Sequence, residues 1–462
     1  MNTYDVIIIG GATTGSFFAR RIAEAGRSVL VIEKLAADTV GSKYDIFHIG
    51  KPDFNRFKLP MPEEGDDLAF TYNGTRACSA FGRYPKQTEG IVVGMHMQRY
   101  TARLNRWAKE AGAEYVYKAE FTDFIFEEGH ITGIRYEQDG KAISVNAGFI
   151  ADCTGIPSVA RRKLPEGYGV ETFEITPMDM FYVTLRYVRY LDPSDYLQDY
   201  PRTWTFYKTW EAPEADPAGA ILGVGANIGF EYGERVYKQF TETIKLPPHE
   251  LKYKECGTTP YRRPPYSFVA DNFIVMGDAA CLTKPHAGEG VTSSMVQAEI
   301  AAEVVISLLR QSSSLNRQAL WPINKRYIEA QGKAYAGSLA TLTGAVASSA
   351  GENDYFFKHD IIFSQKTFSN MDGGIQLTAS ELIAAAAQMF LGVITGKIKI
   401  ATVRALLKGM KNGSRVTQLY AAYPETPDGF EEWVRQADDV WARCGSMADN
   451  LLAAENATQN KT

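Results

Sequence analysis

Short apolar runs punctuate this chain and predict its scaffold. Tyr4-Asp5-Val6-Ile7-Ile8-Ile9 and Val29-Leu30-Val31-Ile32 are β-branched runs of the kind a strand shows when both its faces are buried. Between them Ser16 to Ala25 reads as a helix with Phe17, Ala19 and Ile22 inward, stopped by Gly26. Two later runs have the same look: Ala147 to Asp152, leading into Cys153-Thr154-Gly155, and Phe273 to Met276, leading into Gly277-Asp278. Strands from Glu114 to Val145, with turns at Glu128-Gly129 and Asp139-Gly140, predict an antiparallel insertion. Alternation returns between Val170 and Thr259, as in Met178 to Tyr187, and predicts a second antiparallel sheet. Helical spacing marks Val92 to Ala111 (Met97, Tyr100, Leu104, Trp107), Val291 to Leu309, and most of the chain beyond Asn316. Leu35 to Gly90 carries no clear period and reads as a long irregular insertion.

The fold class expected is α/β. A discontinuous parallel-sheet unit occupies residues 1–165 and 265–310, an antiparallel substrate domain 166–264, and a helical C-terminal region 311–462. From Glu455 the tail is polar and is expected to be disordered.

The turn after the first strand carries the first chemistry. Gly10-Gly11-Ala12-Thr13-Thr14-Gly15 opens the helix: Gly10 permits the sharp turn and Gly15 permits close helix–sheet packing. The free amides and dipole of the helix start suit a pyrophosphate. Glu33, at the end of the second strand, suits a ribose hydroxyl pair. Ala12 stands where the middle glycine of G-x-G-x-x-G belongs, so its methyl is set where backbone should approach phosphate.

The second motif is Gly277-Asp278-Ala279-Ala280, followed by Lys284-Pro285-His286-Ala287-Gly288-Glu289-Gly290 and a long helix. A carboxylate at a strand end and a glycine-rich loop feeding a helix suit a flavin: Asp278 accepts from the ribityl chain, Gly288 and Gly290 admit the ring, and the helix dipole favours negative charge at N1–C2=O.

Composition narrows the field. The 462 residues suffice for two or three domains, and 45% hydrophobic with 22% charged residues is ordinary for a globular protein. A net charge of −5 gives no argument for nucleic acid, and no nucleic-acid partner is expected. Five scattered cysteines without a C-x-x-C pair argue against a disulfide framework and against a zinc or iron–sulfur site, so no metal is expected. With the first strand starting near residue 4, no signal peptide is expected and the cytoplasm is the default location.

Three motifs together carry a resemblance: Gly10 to Gly15 with Glu33; Asp152 to Gly155 followed by Ser158 and Arg161; and Gly277 to Ala280 with Pro285 and Gly288-Glu289-Gly290. In these the chain resembles the geranylgeranyl reductase family of FAD-dependent oxidoreductases, within the p-hydroxybenzoate-hydroxylase-like superfamily. The resemblance implies a Rossmann-like FAD-binding domain of glutathione-reductase type. It also implies cofactor contacts at Gly10, Ala12, Thr13, Thr14, Gly15, Glu33, Lys34, Arg99, Phe121, Gly155, Asp278, Pro285, Gly288, Gly290 and Val291. The implied reaction is hydride delivery from flavin N5 to a C=C bond of an apolar, isoprenoid-like substrate. Candidates for the group that donates the proton are His286, Tyr207 and His48. His48 reads first as an ordinary surface histidine and only second as a residue facing a ligand. No second dinucleotide fingerprint is evident, so electrons are expected from transient NAD(P)H or reduced ferredoxin. Two alternatives stay open: an FAD-dependent monooxygenase, and an electron-transfer flavoprotein passing electrons to a quinone.

The helical C-terminal third includes Leu382 to Thr395, fourteen residues without charge, too short to span a bilayer. The basic run Lys397, Lys399, Arg404, Lys408 and Lys411 follows, interleaved with apolar residues. It reads either as a peripheral-membrane element or as a helix covering the substrate cavity with a solvated basic face.

Overall fold

The computed structural model describes residues 2–41, 46–192, 201–344, 348–369, 378–446, 448–449 and 451–452. β1 (Thr3–Ile9), α1 (Thr13–Glu24) and β2 (Val29–Glu33) form the opening unit, with β1 and β2 paired in parallel from Val6–Val29 to Ile9–Ile32. Val6 to Ile9 and Val29 to Ile32 are all buried, as an unbroken β-branched run demands.

The chain then leaves this sheet. β3 (Ile46–Gly50), α2 (Lys51–Phe57), β4 (Leu68–Cys78) and β5 (Lys86–His96) build one side of a second sheet, β5 lying antiparallel to both β3 and β4. This corrects the reading of Leu35–Gly90 as irregular, and it assigns residues 46–96 to the second sheet rather than to a 1–165 unit. The alternation that announces a strand is broken in β4 by a register shift between Asn73 and Thr75, where Gly74 sits at φ +69°. α3 (Met97–Glu110) begins at Met97, not Val92, because Val92 to His96 still belong to β5.

β6 (Glu114–Tyr117) extends the first sheet beside β2, and β7 (Ala119–Glu127), β8 (His130–Gln138) and β9 (Lys141–Asp152) form the expected antiparallel run. β9 joins two layers: its first half pairs with β8, and from Asn146 it runs parallel to β1. β10 (Met180–Tyr190), β11 (Arg202–Trp204), β12 (Thr209–Pro213), β13 (Gly219–Ala226), α4 (Phe230–Thr243) and β14 (His249–Pro260) complete the second sheet, in the order β14-β10-β13-β12-β11-β4-β5-β3. β15 (Val269–Ala270) and β16 (Phe273–Val275) return to the first, ordered β15-β16-β9-β1-β2-β6, and α5 (Val291–Arg310) packs against α1.

One face of the second sheet rests on α4 through Val188, Tyr190, Ala220 and Leu222. The other is aromatic, and three glycines shape it. A Cβ at Gly94 would lie 2.3 Å from the Phe70 ring, one at Gly223 2.0 Å from Trp210, and one at Gly225 2.2 Å from Phe181. Each ring therefore lies flat over a cross-strand glycine, a packing that compensates for the weakness of glycine in a strand.

The C-terminal helices are α6 (Arg317–Tyr327), a π-helical turn (Ile328–Gly332), α7 (Lys333–Leu342), α8 (Ala350–Lys358), α9 (Gln365–Ser369), α10 (Ala379–Ile394), α11 (Ile400–Ala421) and α12 (Phe430–Cys444). α6, α7, α11 and α12 share the main core: Tyr420, Trp433 and Ala437 pack with it, and the Tyr423 hydroxyl donates to the Tyr266 carbonyl at 2.8 Å, whereas α8, α9 and α10 build smaller clusters around Phe356, Phe357 and Phe368. α7 and α11 approach closely at glycines, since a Cβ at Gly413 would lie 1.9 Å from Thr341 Oγ1. The tail from Glu455 lies outside the described residues.

Candidate active site

The first turn is held from both sides. Gly10 takes φ +106°, and a Cβ there would lie 2.3 Å from the Cys153 carbonyl oxygen, so β1 and the turn after β9 meet at this glycine. A Cβ at Gly15 would stand 2.0 Å from the Gly10 carbonyl oxygen. Glu33, buried, accepts from Gly11 N at 2.8 Å with one carboxylate oxygen and from Leu35 N at 2.9 Å with the other. Each oxygen keeps a second lone pair for a ligand hydroxyl. Asn105 Nδ2 and Ser16 Oγ both donate to the Gly11 carbonyl, at 2.8 and 2.9 Å. Asn105 was not legible as a site residue, because nothing in its own helix marks it.

α1 has no side-chain cap and no acidic residue in its first turn, and Ala12 lies at the N-cap with extended backbone. Its leading amides are free for a ligand anion, where a protein-only helix would ordinarily carry a Ser, Thr, Asp or Asn cap. α5 starts in the same way, from Gly290 and without a cap. The two motifs meet: a Cβ at Gly277 would lie 2.9 Å from Thr14 Oγ1, and one at Gly290 3.1 Å from Asp278 Oδ1. Gly155, at φ +71°, has open space where a side chain would stand. Asp152 shapes that turn, accepting from Thr154 N at 2.9 Å, Thr154 Oγ1 at 2.7 Å and Arg161 N at 2.6 Å. Burial nonetheless holds its carboxyl above the usual range. Arg161 is wholly buried and donates to the Ala279 carbonyl at 3.1 Å, tying this turn to the Gly277 motif. The residues present fit FAD: uncapped amides for the pyrophosphate, Glu33 for the ribose, Asp278 for the ribityl chain and the open loop at Gly288–Val291 for the ring.

The remaining candidates separate. Lys34 is exposed, and Arg99 stands exposed on α3 with its guanidinium donating to the Asp66 carbonyl at 2.7 Å. Phe121 packs edge-on against Phe124, ring centroids 5.0 Å apart, in the antiparallel layer, so its position is that of a core residue. His48 reaches the flavin loop from β3, its Nε2 3.2 Å from Glu289 Oε1. His286 is half-buried with its ring 6.4 Å from that of Tyr335. Tyr207 is not brought to the loop. It is buried against Trp204 and Phe240 on the α4 side, and its hydroxyl donates to Thr243 Oγ1 at 2.9 Å. Its aromatic neighbourhood in sequence, Trp204 to Tyr207, comes from packing against α4. Tyr207→Phe is therefore expected to cost about 1 kcal/mol of stability and leave turnover unchanged, checked by denaturant titration and steady-state rates.

Sequence reasoning missed the residues that the second sheet brings to the loop. Phe181 lies 3.9 Å from the Cβ position of Gly288 and packs tilted against Tyr261, centroids 5.4 Å apart; the Tyr261 hydroxyl donates to the Pro285 carbonyl at 2.6 Å. Lys208, at a left-handed position after a 3-10 turn, has its ammonium 5.1 Å from the centre of the Phe181 ring and donates to Asn227 Oδ1 at 2.5 Å. Burial lowers its pKa to about 8. Tyr72 lies beneath His48, and burial together with the charge of Glu289 pushes its phenol up. Behind the loop an apolar cavity is lined by Phe268, Leu282, Pro285, Tyr327, Ile328 and Tyr335. The π-helical turn supplies Ile328, a local departure of the kind that recurs at functional sites.

Comparison with known proteins agrees with this geometry. The FAD binding domain family model matches residues 3–207. A digeranylgeranylglycerophospholipid reductase of Sulfolobus acidocaldarius is 23% identical over 449 residues, covering 95% of this chain and 97% of that protein. A second such reductase, of Methanothermobacter thermautotrophicus, is 28% identical over 65% of this chain and 77% of its own. In fold, the chain is similar to a geranylgeranyl bacteriochlorophyll reductase-like protein of Thermoplasma acidophilum (TM-score 0.64, 18% identity, 86% and 98% of the two chains). It is similar too to p-nitrophenol 4-monooxygenase of Pseudomonas putida (TM-score 0.61, 16% identity, 82% and 100%). With the Gly10–Gly15 turn and the Gly277 motif brought together, this chain is an FAD-dependent oxidoreductase that resembles the geranylgeranyl reductase family across nearly its whole length.

Proposed function

We propose that the protein reduces C=C bonds of an apolar, isoprenoid-like lipid. The observation that carries this reading is the meeting of the flavin loop with the aromatic face of the second sheet, where Phe181 lies 3.9 Å from the Cβ position of Gly288. FAD, bound and reduced, supplies the hydride. The chain's own residues do the rest. Phe181 and Trp210 give the substrate side an apolar wall, which excludes water from the reacting carbons. Lys208 Nζ holds the proton that the second carbon of the double bond needs, and solvent restores it between turnovers. His48 and Glu289 close the β3 side of the loop.

The fold reading that accompanies this is a Rossmann-like, glutathione-reductase-type FAD-binding unit, with the antiparallel second sheet as its substrate side. The electron donor on this reading is NAD(P)H or reduced ferredoxin, and the compartment is the cytoplasm, in keeping with five free cysteines.

The test is to reduce the flavin under anaerobic conditions and add a geranylgeranyl lipid. Reoxidation of the flavin with a mass gain of two hydrogens per double bond is the expected result. Unchanged lipid, with reoxidation only on admission of oxygen and hydroxylation of an added phenol, would replace this reading with a monooxygenase.

A further inference from the structure

α10 carries no charged residue from Leu382 to its end at Ile394 and, Gln388 apart, is apolar all round. One side packs inward: Ala385 and Met389 join a cluster with Phe356 and Ile398, and a Cβ at Gly392 would lie 2.5 Å from Ile398 Cδ1. The opposite side repeats Ile383, Ala387, Phe390 and Ile394 along one helical face, with Ile383 71%, Phe390 66% and Ile394 65% exposed. A helix apolar all round is ordinarily enclosed by its own protein. The chain turns at Gly396 (φ +68°), the buried Ile398 anchors the turn, and exposed Ile400 and Leu407 continue the apolar surface onto α11.

Charge decides what covers this face. From Leu382 to Pro424 the sequence has no acidic residue and six basic ones: Lys397, Lys399, Arg404, Lys408, Lys411 and Arg415. All six are exposed, and none forms an ion pair among the described residues. A second copy of the chain docked face to face would set these cations against each other. An anionic bilayer satisfies both features, since the apolar side chains enter the acyl boundary while the cations meet lipid phosphates. The 16 residues of α10 rise only about 24 Å, short of the roughly 30 Å of a hydrocarbon core. The helix therefore lies in the interface rather than crossing it. We infer that α10 and the first turns of α11 are a docking element for an anionic lipid membrane. α11 packs on α7, whose Tyr335 and Ala336 line the apolar cavity, so the docking face stands one helix layer from that cavity. The docking itself does not depend on the reaction proposed above.

The test is co-sedimentation of the full-length holoprotein with vesicles of equal phosphatidylglycerol and phosphatidylcholine, against vesicles of phosphatidylcholine alone. The protein is expected to sediment with the anionic vesicles and to be released by high salt. Phe390→Asp with Ile394→Asp, and separately Lys397→Glu with Lys399→Glu and Lys408→Glu, are each expected to weaken binding about tenfold or more. Flavin absorbance and melting should be unaltered, because these side chains are exposed. Wild-type protein left in the supernatant, or apolar-face variants that sediment like wild type, would overturn the inference. So would a vesicle-free dimer that the Phe390→Asp substitution dissolves, for then the face would join two copies.

Discussion

Gly15→Ala is expected to give a protein that purifies without flavin and melts several degrees below wild type. The added methyl would stand 2.0 Å from the Gly10 carbonyl oxygen, and 3.3 Å from Ile8 Cγ2. Neither neighbour can yield cheaply. Gly10 is fixed at φ +106° by its contact with the Cys153 carbonyl, and Ile8 is a central residue of β1. α1 must move outward to make room, which costs about 3 kcal/mol of packing. The same movement withdraws the uncapped amides of the helix start from the pyrophosphate position and opens the contact of Thr14 with Gly277. Flavin absorbance after gel filtration reads the first effect and thermal unfolding the second. Retention of stoichiometric FAD by this variant would mean that the turn does not hold the cofactor.

Lys208→Met is expected to lower kcat by roughly 10²–10⁴-fold with FAD still bound, the range of a lost proton donor. The sign of the pH effect follows from the direction of the shift. Burial disfavours the ammonium and brings its pKa to about 8, so the group carries its proton below that value and loses it above. Turnover should be level on the acid side and fall about tenfold per pH unit above about 8. The methionine variant should lack that alkaline limb. Stability runs the other way: the unfolded chain binds the proton up to the ordinary lysine pKa, so the unfolded state holds more protons between about 8 and that value, and stability rises with pH there. A rate that falls in parallel with FAD occupancy, with an unchanged pH profile, would make Lys208 a structural residue.

What the sequence by itself determined is local. The β1–α1–β2 unit was legible because an unbroken apolar strand, a glycine turn and a helix with one apolar stripe are written in consecutive residues, and Glu33 follows at a fixed distance. The Gly277–Val291 loop was legible for the same reason, and so was the run from β7 to β9, whose turns carry Glu128-Gly129 and Asp139-Gly140. Only the tertiary structure decided the substrate side. β3, β4 and β5 join β10 to β14 across more than eighty residues of intervening chain, and their pairing depends on backbone hydrogen bonds that leave no period in the sequence once Gly74 interrupts β4. That sheet carries Phe181 and Tyr261 to the loop, with Tyr72 beside His48 and Lys208 against the Phe181 ring, and turns Tyr207, a proton-donor candidate in the sequence, to the α4 side. The α10 face divides the same way. Its lack of charge is a sequence fact, but which of its apolar sides is packed and which is bare depends on where Ile398, Tyr355 and Phe356 stand, and only the folded chain sets that.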